Sequence, residues 1–224
     1  MNASQTTVFV IDDDDTARRA MERLVRSAGW RVEGYPSAHA FLDRLPYDGV
    51  GCVLLDVQMP GMTGPELQER MLALALSLPI VYLTGRADVP MSIAAMKKGA
   101  LDILLKPAED EIVLNAIAAA IAGHETACAH DRERREISKR MSRLSERERQ
   151  VLERVISGRL NKQIAADLGI TEKTVKAHRG RVMEKLETRS VAELVRMCAA
   201  VGIAPREHAA ARKLPSHHYE SSSA

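Results

Sequence analysis

Across residues 1–122, five short and almost wholly apolar runs alternate with helix-patterned segments, and no other feature of the chain restricts its fold so tightly. The runs cover residues 7–11, 32–35, 52–55, 80–83 and 103–105. A strand that is apolar on both faces has to be covered on both, which is the condition of a strand inside a parallel sheet. Helical patterns stand between the runs. They comprise residues 17–27, stopped at Gly29, and a short helix capped by Ser37 and carrying Phe41, Leu42 and Leu45. A third covers residues 65–77, with Leu67, Met71, Leu74 and Leu78 at helical spacing. A fourth covers residues 90–98, with Pro90 near its start and Gly99 past its end, and a fifth begins at about Glu109. Five such βα units predict an α/β doubly wound five-stranded parallel sheet in the order 2-1-3-4-5.

The rest of the chain follows other rules. Residues 123–143 are densely charged, with Ile137, Met141 and Leu144 as a narrow apolar stripe, and predict a charged helical linker or a dimer coil. Residues 144–204 predict an all-α domain of four short helices with helix-turn-helix proportions. Ser145 and Glu148 form a capping box, and Gly158 closes the first helix. Residues 161–168 make the second, Gly169 turns, Thr171 caps a third over residues 175–186, and Ser190 caps the fourth. Residues 205–224 are polar and predict a disordered tail.

The net charge of +2 conceals a division: 11 Lys/Arg against 16 Asp/Glu in residues 1–122, but 21 against 14 in residues 123–224. An acidic half joined to a basic half suggests two jobs, with nucleic acid the partner of the basic one. The cysteines Cys52, Cys128 and Cys198 are far apart and lack metal-site spacing, which fits a reducing, cytoplasmic compartment. No basic-then-apolar leader opens the sequence, and the most apolar stretch, residues 112–122, is short and Ala-rich, so no membrane partner is expected.

Chemistry is predicted at the strand tips. Asp56 ends the third run, the acidic run Asp12-Asp13-Asp14-Asp15 follows the first, and Thr84 and Lys106 end the fourth and fifth. In the order 2-1-3-4-5 the first and third strands are neighbours and their tips face one crevice. Three carboxylates packed together (Asp12, Asp13, Asp56) repel unless a cation is bound, and oxygen-only ligands favour Mg²⁺ or Mn²⁺ over Zn²⁺. Such an ion would leave Asp56 as the nucleophile for a phosphoryl group, with the Lys106 ammonium and the Thr84 hydroxyl on the phosphoryl oxygens.

Val10-Ile11-Asp12-Asp13, the stretch from Leu55 to Gly64, Leu83-Thr84-Gly85 and Lys106-Pro107 resemble the flavodoxin-like receiver domain of two-component response regulators. The segments from Thr84 to Met91 and from Ala95 to Ala100 resemble the FixJ branch in particular. The resemblance implies that Asp56 accepts phosphate from a sensor histidine kinase. It implies that Asp13, Asp56 and the Gln58 backbone carbonyl hold Mg²⁺, with Asp12 assisting through water, and that Lys106-Pro107 is cis. Two positions depart from the pattern. Receivers carry Tyr or Phe as a rotamer switch coupled to Thr84 where this chain has Ile103, and often Phe where it has Ala108.

In the basic half, Val175, Val182 and Leu186 predict the buried stripe of the third helix, while Lys173, Lys176, Ala177 and Gly180 fall on another face flanked by Arg179 and Arg181. That face has the shape and charge to enter a major groove. The stretches from Leu144 to Leu152, Asn161 to Ala165, Leu168 to Thr171 and Thr174 to His178 resemble the LuxR-type DNA-binding domain. By that resemblance Lys176 and Ala177 face the bases, Lys173, Thr174 and Arg179 lie near phosphates, and Gly180 stands where relatives often place a side chain that reaches DNA. The fourth helix is the usual dimer surface of such domains.

These features together predict a transcriptional regulator rather than an enzyme: a response regulator of the NarL/FixJ type that is phosphorylated on Asp56, forms a homodimer and binds double-stranded DNA. A second reading, a constitutive DNA-binding protein whose first domain only binds other proteins, is distinguished by DNA affinity indifferent to phosphorylation. The expected division is residues 1–122 for the receiver, 123–143 for the linker, 144–204 for the DNA-binding domain and 205–224 for the tail.

Overall fold

The structure, a computed structural model, describes residues 6–85 and 89–204. The expected tail, 205–224, and residues 86–88 of the FixJ-like segment lie outside the described residues. The chain divides into two compact units, Met1–Asp131 and Arg132–Ala224.

In the first unit β1 (Thr7–Ile11), β2 (Arg31–Tyr35), β3 (Gly51–Asp56), β4 (Ile80–Thr84) and β5 (Asp102–Leu105) form one parallel sheet in the order β2-β1-β3-β4-β5. Strand alternation divides the core in two. Val8, Val10, Cys52, Leu54, Val81 and Leu83 point to one face, beneath α1 (Asp15–Ser27) and α5 (Asp110–Met141). Phe9, Ile11, Val53, Leu55, Ile80 and Tyr82 point to the other, beneath α2 (Ala38–Leu42), α3 (Gly64–Ala73) and α4 (Val89–Lys97). The three middle strands are buried along their whole length, as their two-sided apolarity requires.

One helix ends well short of expectation. The helix α3 ends at Ala73, not Ser77. Ala75 adopts a left-handed φ of 54°, and the Leu76 N–H donates to the Met71 carbonyl, closing the helix in the manner normally served by glycine. Leu78 therefore reaches the core from a loop, although its spacing matched the helix. The helix α5 runs unbroken through Gly123 into the segment expected as a charged helical linker. Among the described residues it is the one helix long and apolar enough, by length and composition, to cross a membrane, with a window of mean hydropathy 1.4. The expectation had looked for an uninterrupted apolar run. The apolar positions Val113, Ala116, Ile117, Ala120 and Ile121 of this helix belong to the core over the sheet.

In the second unit α6 (Glu146–Ile156), α7 (Asn161–Leu168), α8 (Glu172–Lys185) and α9 (Val191–Ala200) enclose an aliphatic core that includes Val151, Leu152, Ile164, Val175, Val182, Leu186 and Leu194. The capping box at α6 is formed: the Ser145 N–H donates to Glu148 Oε2 at 2.8 Å and the Glu148 N–H to Ser145 Oγ at 3.3 Å. Glu148 is buried, and the Lys185 ammonium 2.7 Å away compensates it. That hydrogen bond, with those from Ser145, holds the Glu148 carboxyl below its ordinary pKa. Gly169, at a left-handed φ of 63°, makes the turn from α7 to α8.

Candidate functional site

Four strand tips deliver the acidic crevice. Asp12 follows β1, Asp56 ends β3, Thr84 ends β4, and Lys106 follows β5. Lys106 Nζ lies 2.6 Å from Asp12 Oδ2 and 2.7 Å from Asp56 Oδ1, so one ammonium joins residues 94 and 50 positions distant in sequence. Asp12, Asp56 and Thr84 are all buried. The remaining carboxylate oxygens are also occupied: the Asp14 N–H donates to Asp12 Oδ1 at 2.9 Å and the Gln58 N–H to Asp56 Oδ2 at 2.8 Å. The Lys106 N–H donates to the Thr84 carbonyl at 2.7 Å, which ties the tips of β4 and β5 together, and the Lys106-Pro107 peptide is cis.

Burial weighs against the Lys106 ammonium, but its hydrogen bonds to Asp12 and Asp56 outweigh that effect and hold its pKa above the ordinary lysine value. Lys106 is therefore a fixed positive charge in the crevice.

The acidic run does not act as a block. Asp12 enters the crevice and Asp13 is exposed. Asp14 caps α1, accepting from the Thr16 N–H at 2.7 Å and the Ala17 N–H at 3.2 Å, and those backbone donors lower its pKa. Asp15 pairs with Arg18 and Arg19. Among the described residues no three His, Cys, Asp or Glu side chains gather closely enough to hold a metal ion. The expected trio of packed carboxylates is thus a pair, Asp12 and Asp56, whose repulsion Lys106 already neutralises. The oxygen-only donor set, with the exposed Asp13 next in sequence, fits a hard divalent cation such as Mg²⁺ in kind.

Arg18 is a participant that the sequence pattern did not reveal. Its guanidinium is buried and donates to the Asp12 carbonyl at 2.8 Å, pinning the chain where it leaves β1. Nothing but an Arg in the first turn of a helix marks it in sequence. Ile103 is half-buried and packs inward against the core beneath α3 and α4, and Ala108 packs against the opposite face.

On α8, Val175 and Val182 are buried, as is the C-cap Leu186, and Lys173, Lys176, Ala177, Gly180 and Arg181 are exposed together. Thr174 and Arg179 are half-buried. Thr174 Oγ1 lies 2.9 Å from Thr171 Oγ1, and Arg179 Nη1 donates to Asn161 Oδ1 at 2.7 Å, joining α8 to the start of α7. Thr174 and Arg179 thus stand at the margin of the basic face. His178 Nδ1 is buried without a hydrogen-bond partner, which places the ring in packing.

Comparison with family models matches residues 8–118 to the response regulator receiver domain and residues 142–198 to the luxR family of bacterial regulatory proteins. The transcriptional regulatory protein FixJ of Azorhizobium caulinodans is 42% identical over 203 residues, covering 90% of this chain and 96% of that one. Among solved structures, the response regulator StyR matches with a TM-score of 0.81 at 42% identity, over 88% of this chain and 99% of StyR. Full-length FixJ from B. japonicum matches with a TM-score of 0.56 at 42% identity, over 89% and 98%.

Proposed function

Because the chain belongs to the NarL/FixJ family of response regulators and is a phosphorylation-dependent transcriptional regulator, we propose that Asp56 is the carboxylate that receives the phosphoryl group. An Asp56 oxygen attacks the phosphorus of a phosphohistidine on the sensor kinase. The O–P bond forms as the N–P bond breaks, and the imidazole leaves with the bonding pair and takes a proton from solvent. The observation that carries the reading is the Lys106 ammonium held between Asp12 and Asp56 at 2.6 and 2.7 Å. Placed there, Lys106 can shift from the carboxylate to a phosphoryl oxygen, and the Thr84 hydroxyl can donate to another. A divalent ion held by Asp13, Asp56 and the Gln58 carbonyl, with Asp12 through water, would supply further charge neutralisation.

Exposed apolar side chains on neighbouring elements support a homodimer formed on phosphorylation: Ile93 and Met96 on α4, Leu101 and Leu105 at β5, and Ile112 on α5. The DNA-binding surface is the exposed face of α8, with Lys176 and Ala177 toward the bases and Lys173, Thr174 and Arg179 toward phosphates. In this reading residues 1–122 are the receiver, 123–143 the linker and 144–204 the DNA-binding domain, working in the cytoplasm without a membrane partner.

The test is phosphoryl uptake from acetyl phosphate with Mg²⁺, followed by mass spectrometry. Wild type gains one phosphoryl group that maps to Asp56, and Asp56→Asn gains none. Equal labelling of the two proteins would contradict the assignment.

A further inference from the structure

The residue at 103 cannot act as an aromatic switch, yet an aromatic residue stands beside it. Tyr82 on β4 is the register partner of Ile103 on β5, is fully buried, and lies two residues before Thr84 on the same side of the strand. Its hydroxyl donates to Gln68 Oε1 on α3 at 3.0 Å, and Gln68 Nε2 donates to the Ala95 carbonyl on α4 at 3.3 Å. Gln68 is itself buried. The Ala95 carbonyl belongs to the last turn of α4, where helix carbonyls lack intrahelical partners, and it also accepts from the Lys98 and Ala100 N–H groups.

The other end of this chain reaches the crevice. Gly64 opens α3, and a Cβ there would lie 2.4 Å from the Asp56 carbonyl oxygen and 2.9 Å from Tyr82 Cε1. The backbone of the candidate acceptor, the start of α3 and the Tyr82 ring are therefore packed with no space between them. We infer that Tyr82 and Gln68 are positioning residues that couple the state of the acceptor strand tips to α4, doing by a hydrogen-bonded chain what an aromatic at 103 does elsewhere.

The physical basis is that a buried amide has few satisfied orientations. The Tyr82 hydroxyl gives Gln68 Oε1 its donor, which turns Nε2 toward Ala95, and a buried amide group left unpartnered bears the full cost of its desolvation. A displacement of β4 or of the α3 start therefore reaches the α4 carbonyl and not solvent. The helix it reaches carries the exposed Ile93 and Met96.

This inference rests on Asp56 as the phosphoryl acceptor, and its test reads the two separately. Full-length wild type, Tyr82→Phe, Gln68→Met and the double variant are treated with acetyl phosphate and Mg²⁺. Mass spectrometry reads the label on Asp56, and amide hydrogen exchange reads α4. All four proteins take the label. In wild type, labelling changes exchange in α4 by about tenfold, a coupling of ordinary size. The change falls below about twofold in each single variant and no further in the double variant, the non-additivity expected of one hydrogen-bonded unit. The two single variants damage the chain at different points, so misfolding of one leaves the other to decide. Labelled Tyr82→Phe or Gln68→Met responding like wild type overturns the relay, as does a labelled wild type with unchanged α4 exchange. A merely structural role predicts that outcome together with a lower thermal midpoint. A wild type that takes no label on Asp56 overturns the underlying reading and the relay with it.

Discussion

His124 shows how much one side chain can settle. Its Nδ1 accepts from the Gly51 N–H at 3.1 Å, and its Nε2 lies 3.4 Å from both Ser77 Oγ and Cys128 Sγ. Gly51 opens β3 two residues before the register partner of β4 begins, so its N–H has no ladder acceptor on that side and the ring supplies one. Burial lowers the His124 pKa, and accepting from Gly51 requires the neutral ring. The folded value lies below the unfolded value of about 6.5, so the contribution is full above that pH and is lost as pH falls through the folded pKa. His124→Leu should cost about 1–3 kcal/mol at neutral pH by leaving the Gly51 N–H buried and unpaired. It should also flatten the loss of stability as pH falls below about 6.5, as measured by chemical denaturation across pH. Asp12, Asp56, Thr84 and Lys106 were legible in the sequence because each closes an apolar run, and parallel topology gathers such ends. Tyr82, Gln68, His124 and Arg18 were not. Their partners stand 14, 27, 73 and 6 residues away, and a single contact of that kind leaves no periodicity in the sequence.

At the scale of elements, the strands were readable because burial on both faces forces continuous apolarity, and the capped helices because Ser37, Ser145, Thr171 and Ser190 announce them. The end of α3 was hidden because an alanine occupies the left-handed position that a glycine usually marks. The persistence of α5 was open to the sequence, because residues 123–143 are helix-patterned and Gly123 is tolerated in a helix at a cost of about 1 kcal/mol. Gly180 is the same economy on α8. A Cβ added there meets nothing within 4 Å, so Gly180→Ala should stabilise the second unit by about 0.5–1 kcal/mol in thermal or urea unfolding. An unchanged or lower stability would mean that the helix backbone is held in place by something other than propensity. On the same helix Lys176 is exposed, and Lys176→Ala should remove the footprint on target DNA while leaving the fold intact by circular dichroism. A normal footprint would contradict the placement of that face in the groove.

The whole molecule divides its charge as it divides its work. The basic excess of residues 123–224, 21 Lys/Arg against 14 Asp/Glu, should give DNA affinity a steep salt dependence. Each phosphate-contacting lysine or arginine removed should reduce that slope by about one, as binding titrations across salt concentration would read. In the other half, Asp56, proposed as the acceptor, the Lys106 that neutralises it and the exposed apolar side chains of α4 and β5 belong to one sheet and its covering helices. On the proposed reading, a phosphoryl group on Asp56 should be felt as a change of association. The most direct test is sedimentation velocity of the full chain with and without beryllium fluoride and Mg²⁺, a phosphoryl mimic that binds a carboxylate oxygen. Wild type should pass from monomer to dimer on adding the mimic, and Asp56→Asn should remain monomeric in both conditions. A wild type whose sedimentation ignores the mimic, or an Asp56→Asn variant that dimerises with it, would contradict the account.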